Sequence, residues 1–280
     1  MNALELKGLT KHYTGFTLGP LDLTLPSGAI LGLIGENGAG KTTTIRLILD
    51  VLERDGGTVR LFGRDNRESF PFGKEDLGVV LDEAGFADCL TAPEVGRILC
   101  GIYRQWDGGE FTRLLRVLSV PENKKIKEFS LGMKRKLSIA AALSHRAKLL
   151  ILDEPTSGLD PVARDEVVEL FSEFTRDESH AVLISSHIVS DLEKLCDYIA
   201  FLHQGRLTLC EEKDRLREAY GVLHCTREEL SALPSDAVIG KRVNPYGVEA
   251  IVRRDAVPGR ELAGVDIEQL FVLMAKGEET

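Results

Sequence analysis

The chain has 280 residues, 43% hydrophobic and 28% charged, with 35 basic and 44 acidic side chains and a formal net charge of -9. These proportions belong to a globular protein of one large domain, or of one ordinary domain with a small appendage, and exclude collagen-like, disulfide-stapled and extensively disordered chains. The acidic balance offers no overall field for binding nucleic acid by counterion release, and no nucleic-acid partner is expected. No run of 18 apolar residues occurs, and Met1-Asn2-Ala3-Leu4-Glu5-Leu6-Lys7 lacks a basic and then apolar leader, so neither a membrane span nor a signal peptide is expected. The five cysteines are scattered without a C-x-x-C pair, which argues against a metal cluster or disulfide framework and for small core thiols in a reducing compartment.

The first 28 residues alternate apolar and polar positions between turn signals at Thr14-Gly15, Gly19-Pro20 and Pro26-Ser27-Gly28, the pattern of half-buried antiparallel strands. Ala29 to Ile34 is instead a continuous apolar run into a glycine-rich turn, followed by helical spacing from Thr42 to Leu49, as at the start of a parallel sheet. Thr58 to Phe62 and Leu77 to Leu81 read as further strands. Residues 85–145 are predominantly helical, with helices predicted over Val95 to Tyr103, Glu110 to Leu118 and Leu131 to Leu143. Buried strands return at Leu149 to Leu152, Ala181 to Ile184 and Tyr198 to Leu202, separated by helices over Val162 to Phe174 and Ile188 to Leu195. The alternation predicts a mostly parallel α/β sheet with an antiparallel preface and a helical insertion. Beyond residue 212 come a polar helix, short alternating segments such as Val248 to Val252, and an apolar-faced helix from Ile267 to Met274. A boundary is placed there, giving 1–212 and 213–280.

Gly35-Glu36-Asn37-Gly38-Ala39-Gly40-Lys41-Thr42 matches G-x-x-x-x-G-K-[ST] between a predicted strand and a predicted helix. In such a loop, glycines let backbone N–H groups curl around a pyrophosphate, a lysine reaches the β and γ phosphates, and a threonine hydroxyl ligates Mg²⁺. Leu149 to Leu152 runs into Asp153-Glu154, two carboxylates at a strand end, assigned as metal ligand and general base.

With these residues the chain resembles the nucleotide-binding subunit of ATP-binding cassette (ABC) transporters over residues 1–212. Phe129-Ser130-Leu131-Gly132-Met133 stands where that family has its L-S-G-G-Q signature, Ser157-Gly158-Leu159-Asp160 resembles its D-loop, and Ser185-Ser186-His187 resembles the segment carrying its switch histidine. Tyr13 stands where an aromatic residue stacks on adenine. Two departures are visible: Leu131 and Met133 replace the usual glycine and glutamine of the signature, and Asp82, followed by Glu83, stands in place of the Q-loop glutamine.

The resemblance implies an α/β P-loop NTPase core of ABC type, with a helical subdomain at about 85–145 and a small C-terminal accessory domain. It implies ATP and Mg²⁺ as cofactors. Lys41, Glu154 and His187 are the expected catalytic residues. Tyr13, Gly35, Asn37, Gly38, Ala39, Gly40, Lys41, Thr42, Thr43, Ser130, Gly132 and Asp160 are expected to bind nucleotide, and Thr42, Asp153 and Asp82 to hold the metal. Also implied are a head-to-tail dimer with a second ATPase protomer and a polytopic membrane subunit, the permease, docked near the Q-loop and helical subdomain at the cytoplasmic face of the membrane. The branch resembled is that of antibiotic and peptide exporters, phenol-soluble modulin exporters among them. Non-transport ABC ATPases of DNA repair or translation fit less well, since neither a long coiled-coil insertion nor a second cassette is present, and a module that binds ATP without hydrolysis conflicts with an intact Lys41, Asp153, Glu154 and His187.

Two further expectations concern packing. Lys134-Arg135-Lys136 reads as a solvated helix face. The apolar face of the last helix needs a cover, either the cassette or the tail of a second protomer, with the dimer contact preferred.

Overall fold

Strict alternation in the first 26 residues produces a two-stranded ribbon, β1 (Asn2–Tyr13) antiparallel to β2 (Phe16–Pro26), with Leu4, Leu6, Leu9, Leu18, Leu21, Leu23 and Leu25 on its buried side. The computed structural model describes the chain except for residues 69–73, 83–84, 235, 246 and 277–280, and Glu83, which follows Asp82 at the Q-loop position, lies outside the described residues. β4 (Gly56–Leu61) pairs antiparallel with the other edge of β1, and the short β5 (Arg64–Asp65) completes this sheet.

A second sheet contains β3 (Ile30–Ile34), β6 (Leu77–Val80), β7 (Leu149–Asp153), β8 (Ala181–Ser186), β9 (Tyr198–His203) and β10 (Arg206–Glu212), in the order β10-β9-β3-β8-β7-β6. All pairings are parallel except the β9–β10 hairpin. Both faces of this sheet are covered, which is why its strands are continuous apolar runs rather than alternating ones. Leu31, Leu33, Leu149, Ile151 and Leu183 face the antiparallel sheet and helix α1 (Lys41–Ile48), while Ile30, Ile34, Leu150, Leu152, Val182 and Ile184 face the other helices.

Those helices are α2 (Ala92–Ile102), α3 (Gly108–Val117), α4 (Leu131–Leu143), α5 (Pro161–Phe174) and α6 (Val189–Leu195). Their starts are set by caps. The backbone N–H of Thr91 donates to Glu94 Oε2 at 2.8 Å in a capping box, Asp107 accepts from the Glu110 amide at 2.9 Å, and Ser130 Oγ accepts from the Met133 amide at 3.2 Å.

After β10 the chain forms α7 (Lys213–Ala219), β11 (Tyr220–Cys225), α8 (Arg227–Ser231), β12 (Val238–Asn244), β13 (Gly247–Arg253) and α9 (Ile267–Lys276), with a three-stranded antiparallel sheet ordered β11-β13-β12. Leu223, Val248, Ala250 and Val252 form a small core of their own. Leu216, Val222, Ile251, Leu270 and Leu273 instead join the core beneath the helical face of the cassette, and the Phe271 ring stacks on Phe201 with centroids 5.6 Å apart. The preference for a dimer contact is therefore corrected: α9 covers its own cassette, because β9 and α6 leave Phe201 and Leu192 in need of a lid that a neighbouring amphipathic helix of the same chain supplies without any association step.

Cys196 is fully buried in this core and burial pushes its thiol pKa up, whereas Cys89 and Cys100 are exposed. A thiol reagent at pH 8 should modify Cys89 and Cys100 in the folded chain and reach Cys196 only under denaturant. Mass mapping of the labelled peptides checks this, and rapid native labelling of Cys196 would contradict the packing just described.

Candidate active site

The loop between β3 and α1 is held open by local backbone demands. Gly40 caps α1 with a φ of 110°, a backbone conformation that residues with a side chain rarely adopt, and a Cβ there would also press on Leu18 Cδ1 at 2.5 Å. Asn37 and Gly38 stand exposed at the crest, Gly35 and Ala39 are buried at the base, and Thr42 and Thr43 are half-buried at the mouth. Lys41 folds inward: Nζ donates to the Gly35 carbonyl at 2.6 Å and the Glu36 carbonyl at 3.3 Å and lies 3.5 Å from Glu154 Oε1.

At the end of β7, Asp153 is 1% exposed, and both its oxygens accept from hydroxyls: Oδ1 from Ser185 Oγ at 2.5 Å and Oδ2 from Thr42 Oγ1 at 2.8 Å. A buried carboxylate needs such partners. Glu154 follows with a φ of 49°, in the left-handed region, which costs a non-glycine residue roughly 1–3 kcal/mol and persists only where the surroundings impose it. Three groups do so. Its amide donates to the Ser185 carbonyl and hydroxyl, both at 3.1 Å; its carbonyl accepts from Arg135 Nη1 at 2.8 Å; and Oε2 lies 2.7 Å from His187 Nδ1 and accepts from the His187 amide at 3.3 Å. Glu154 thus sits between a lysine and an imidazole, the placement that fixes the direction of a general base and keeps its charge compensated until a substrate arrives.

The remaining expected residues fall in two groups. Tyr13 ends β1, 44% exposed, with its ring centroid 6.3 Å from that of Phe16, whose ring in turn lies against Gly40 of the phosphate loop. Ser130 and Asp160 cap α4 and α5; Asp160 Oδ1 accepts from the Ala163 amide at 3.0 Å and the Val162 amide at 3.1 Å, and these bonds, the Ala163 amide first, hold its carboxyl below the usual range. Gly132 lies against the D-loop: a Cβ there would meet the Gly158 carbonyl oxygen at 2.9 Å. Leu131, in place of the first signature glycine, is 56% exposed, its side chain packed beside Gly158.

Asp82, the third expected metal ligand, makes its contact with a neighbouring cation: its Oδ1 accepts from Arg135 Nη2 at 2.7 Å. The solvated face expected for the Lys134-Arg135-Lys136 run is corrected at its centre. Arg135 is 2% exposed, with Nη1 donating to the carbonyls of Asp153 and Glu154. A signal was present in the spacing, since residues 135, 139 and 142 share one helical stripe and Ile139 and Ala142 are core. Ser185, whose hydroxyl joins Asp153 to Glu154, was read only as part of the segment around the switch histidine.

Whether these residues suit a divalent ion is decided by the donor set. A threonine hydroxyl and a carboxylate oxygen already meet at 2.8 Å, the hard oxygen ligands Mg²⁺ takes, and among the described residues no group of three or more His, Cys, Asp or Glu encloses an ion alone. They fit an ion that arrives with phosphate oxygens completing its shell.

A phosphate loop ahead of an acidic strand end, on a parallel sheet with a helical insertion, defines a P-loop ATPase cassette. The ABC transporter family model matches residues 18–157. The bacitracin transport ATP-binding protein BcrA of Enterococcus faecalis is 36% identical over 207 residues, covering 73% of this chain and 67% of that protein. The lantibiotic transport ATP-binding protein SrtF of Streptococcus pyogenes is 33% identical over 216 residues, covering 75% and 91%. A solved ATP-binding subunit of an ABC transporter superposes with a TM-score of 0.69 at 29% identity, covering 77% of this chain and 92% of that one. The chain belongs to the ABC transporter family, as an ATP-hydrolysing subunit.

Proposed function

We propose that the chain is the ATP-hydrolysing subunit of an exporter for peptide antibiotics or drugs. The observation that carries it is the convergence of Lys41, Glu154 and His187 within 3.5 Å at the end of β7. The names of the bacitracin and lantibiotic relatives support export of such cargo. In this reading the phosphate loop amides and Lys41 bind the triphosphate, Tyr13 stacks on the base, and Thr42 and Asp153 hold Mg²⁺, which when bound neutralises phosphate charge. Glu154 takes the proton of the attacking water on its carboxylate, and His187 orients that carboxylate and donates toward the γ-phosphate. Ser130, Gly132 and Asp160 belong to a face presented to a second protomer in a head-to-tail dimer, so that each nucleotide is covered by the α4 N-terminus of the other copy.

Among the described residues no helix is long and apolar enough to cross a membrane. A groove of about 250 Å³ lined by Leu81, Phe86, Leu99, Tyr103 and His145 lies beside Asp82 and between the helical subdomain and β6, and we assign it to a helix of a separate membrane subunit, which keeps the chain peripheral at the cytoplasmic face.

Co-expression with a candidate membrane subunit and assay of Mg-ATP-driven accumulation of a labelled lantibiotic-class peptide in inside-out vesicles tests the reading. Accumulation is expected, and Lys41→Ala should abolish it while raising the Kd for ATP by about tenfold or more, since a direct phosphate contact is lost. Transport and hydrolysis that survive Lys41→Ala would refute the assignment.

A further inference from the structure

We propose that Arg135 is a positioning residue for the hydrolytic base, and that Asp82 holds it in place, so that the loop after β6 sets whether Glu154 is aligned. The inference rests on reading Glu154 as the base.

One guanidinium reaches three acceptors on two segments. Nη1 donates to the carbonyls of Asp153 at 3.1 Å and Glu154 at 2.8 Å, and Nη2 donates to Asp82 Oδ1 at 2.7 Å. The planar fork of arginine makes this possible, since its donors are fixed relative to one another, so a shift at Nη2 is carried to Nη1. The two ends sit in unlike surroundings. Arg135 is 2% exposed and the Asp153 side chain 1%, while the Asp82 side chain is 67% exposed. A charge that deep requires a counter-ion, and the carboxylate that supplies it sits in solvent on a connecting loop.

The Glu154 backbone is the susceptible end. With φ at 49° it is in a conformation that its neighbours maintain, and its carbonyl is held by Arg135 Nη1 at 2.8 Å together with the Ser157 amide at 3.2 Å, the guanidinium being the shorter and the charged of the two contacts. Turning that peptide redirects the carboxylate away from Lys41 and His187, which lie 3.5 and 2.7 Å from its two oxygens. Losing Asp82 would leave the guanidinium without its ion pair, and the arginine would be drawn toward solvent, releasing the carbonyls. Arg135 also sits in α4, whose N-cap is Ser130, so the same rigid helix links the face offered to a second protomer to the backbone of the base.

The experiment uses the full chain in Mg-ATP, with kcat from phosphate release, Kd from a fluorescent ATP analogue and Tm from thermal melting. Arg135→Gln is expected to lower kcat by roughly 10- to 100-fold with Kd changed by less than about twofold. Asp82→Asn should lower kcat in the same direction by a smaller factor, and Asp82→Asn/Arg135→Gln should be no slower than Arg135→Gln alone, the non-additivity of groups acting in series. Arg135→Lys should recover part of the lost kcat by restoring the charge without the fork. A kcat within about twofold of the unsubstituted chain in Arg135→Gln, fully additive effects, or kcat, Kd and Tm deteriorating together would overturn the proposal. Should Arg135→Gln not fold, Asp82→Asn decides: lowered kcat at constant Kd upholds it and unchanged kcat refutes it. Glu154→Gln in the same assay separates the two levels. If that variant hydrolyses ATP at the unsubstituted rate, the base is misassigned; if it is inactive while the Arg135 and Asp82 variants are not, only the positioning role fails.

Discussion

Glu154→Gln will cut ATP turnover by about 10²- to 10⁴-fold while leaving ATP affinity within about threefold, the signature of a lost general base. The amide keeps the shape of the side chain and still accepts from the His187 amide, so the surroundings change little. What is lost is the carboxylate that faces Lys41 at 3.5 Å and, on the proposed reading, takes the proton from water. Removing that negative charge frees Lys41 for the incoming phosphates, so affinity should hold or rise slightly. With hydrolysis blocked, ATP should accumulate the chain as a nucleotide-bound dimer, visible as a shift in elution volume. Steady-state phosphate release and equilibrium binding on the same preparation check both halves; turnover near the unsubstituted rate would remove Glu154 from the mechanism.

Deleting residues 213–280 will yield a chain that does not fold stably, rather than a cassette merely lacking an accessory unit. The sequence pattern suggests otherwise, since no phosphate, metal or nucleophile motif lies beyond residue 212, and nucleotide binding would then survive the deletion. The shared core reverses that expectation. Phe201, Leu192 and Leu195 pack in one cluster with Leu216, Leu270 and Leu273, and truncation would bare them. Uncovering three large apolar side chains costs on the order of 5 kcal/mol, against a total stability of about 5–15 kcal/mol for a domain. Phe271→Ala offers a milder form of the same test, because the ring is only partly buried and its loss should cost about 1–3 kcal/mol. Urea midpoints of the 280-residue chain and of Phe271→Ala, together with the soluble yield of the truncated chain, measure the effect. A soluble truncation with an unchanged midpoint would show that the α9 contact contributes little.

The residues that were legible in the sequence are those whose chemistry fixes both type and spacing. A turn that must bring amides to phosphate needs glycine at Gly40, and a strand that must end beside it needs an apolar run into Asp153, so loop and strand end declare each other. The parallel sheet was legible for a related reason, since strands covered on both faces have no polar positions to lose. Arg135 was not legible as a run of three cations, because whether a charge is solvated or buried depends on partners distant in sequence, here Asp82 and the backbone of residues 153–154. The cover of α9 was hidden for the same reason: an apolar helical face specifies that something must cover it, not what. β10 went unread as a strand because Arg206 to Glu212 alternates at a sheet edge, its exposed positions as polar as a loop.

The place of β6 at the far edge of the large sheet has a mechanical consequence. It is joined to the sheet by one ladder of four residue pairs, from Leu77–Leu149 to Val80–Leu152, and among the described residues no strand lies on its outer side. A displacement of the loop that follows it reaches the site by two routes, through that ladder into the strand whose next residue is Asp153, and through the Asp82–Arg135 pair into the carbonyls of residues 153 and 154. The phosphate cradle hangs from β3, separated from β6 by β8 and β7 in between. On the proposed reading, a helix seated in the groove beside β6 would therefore act first on Asp153 and Glu154, two strands away from the end of β3 that carries the phosphate loop.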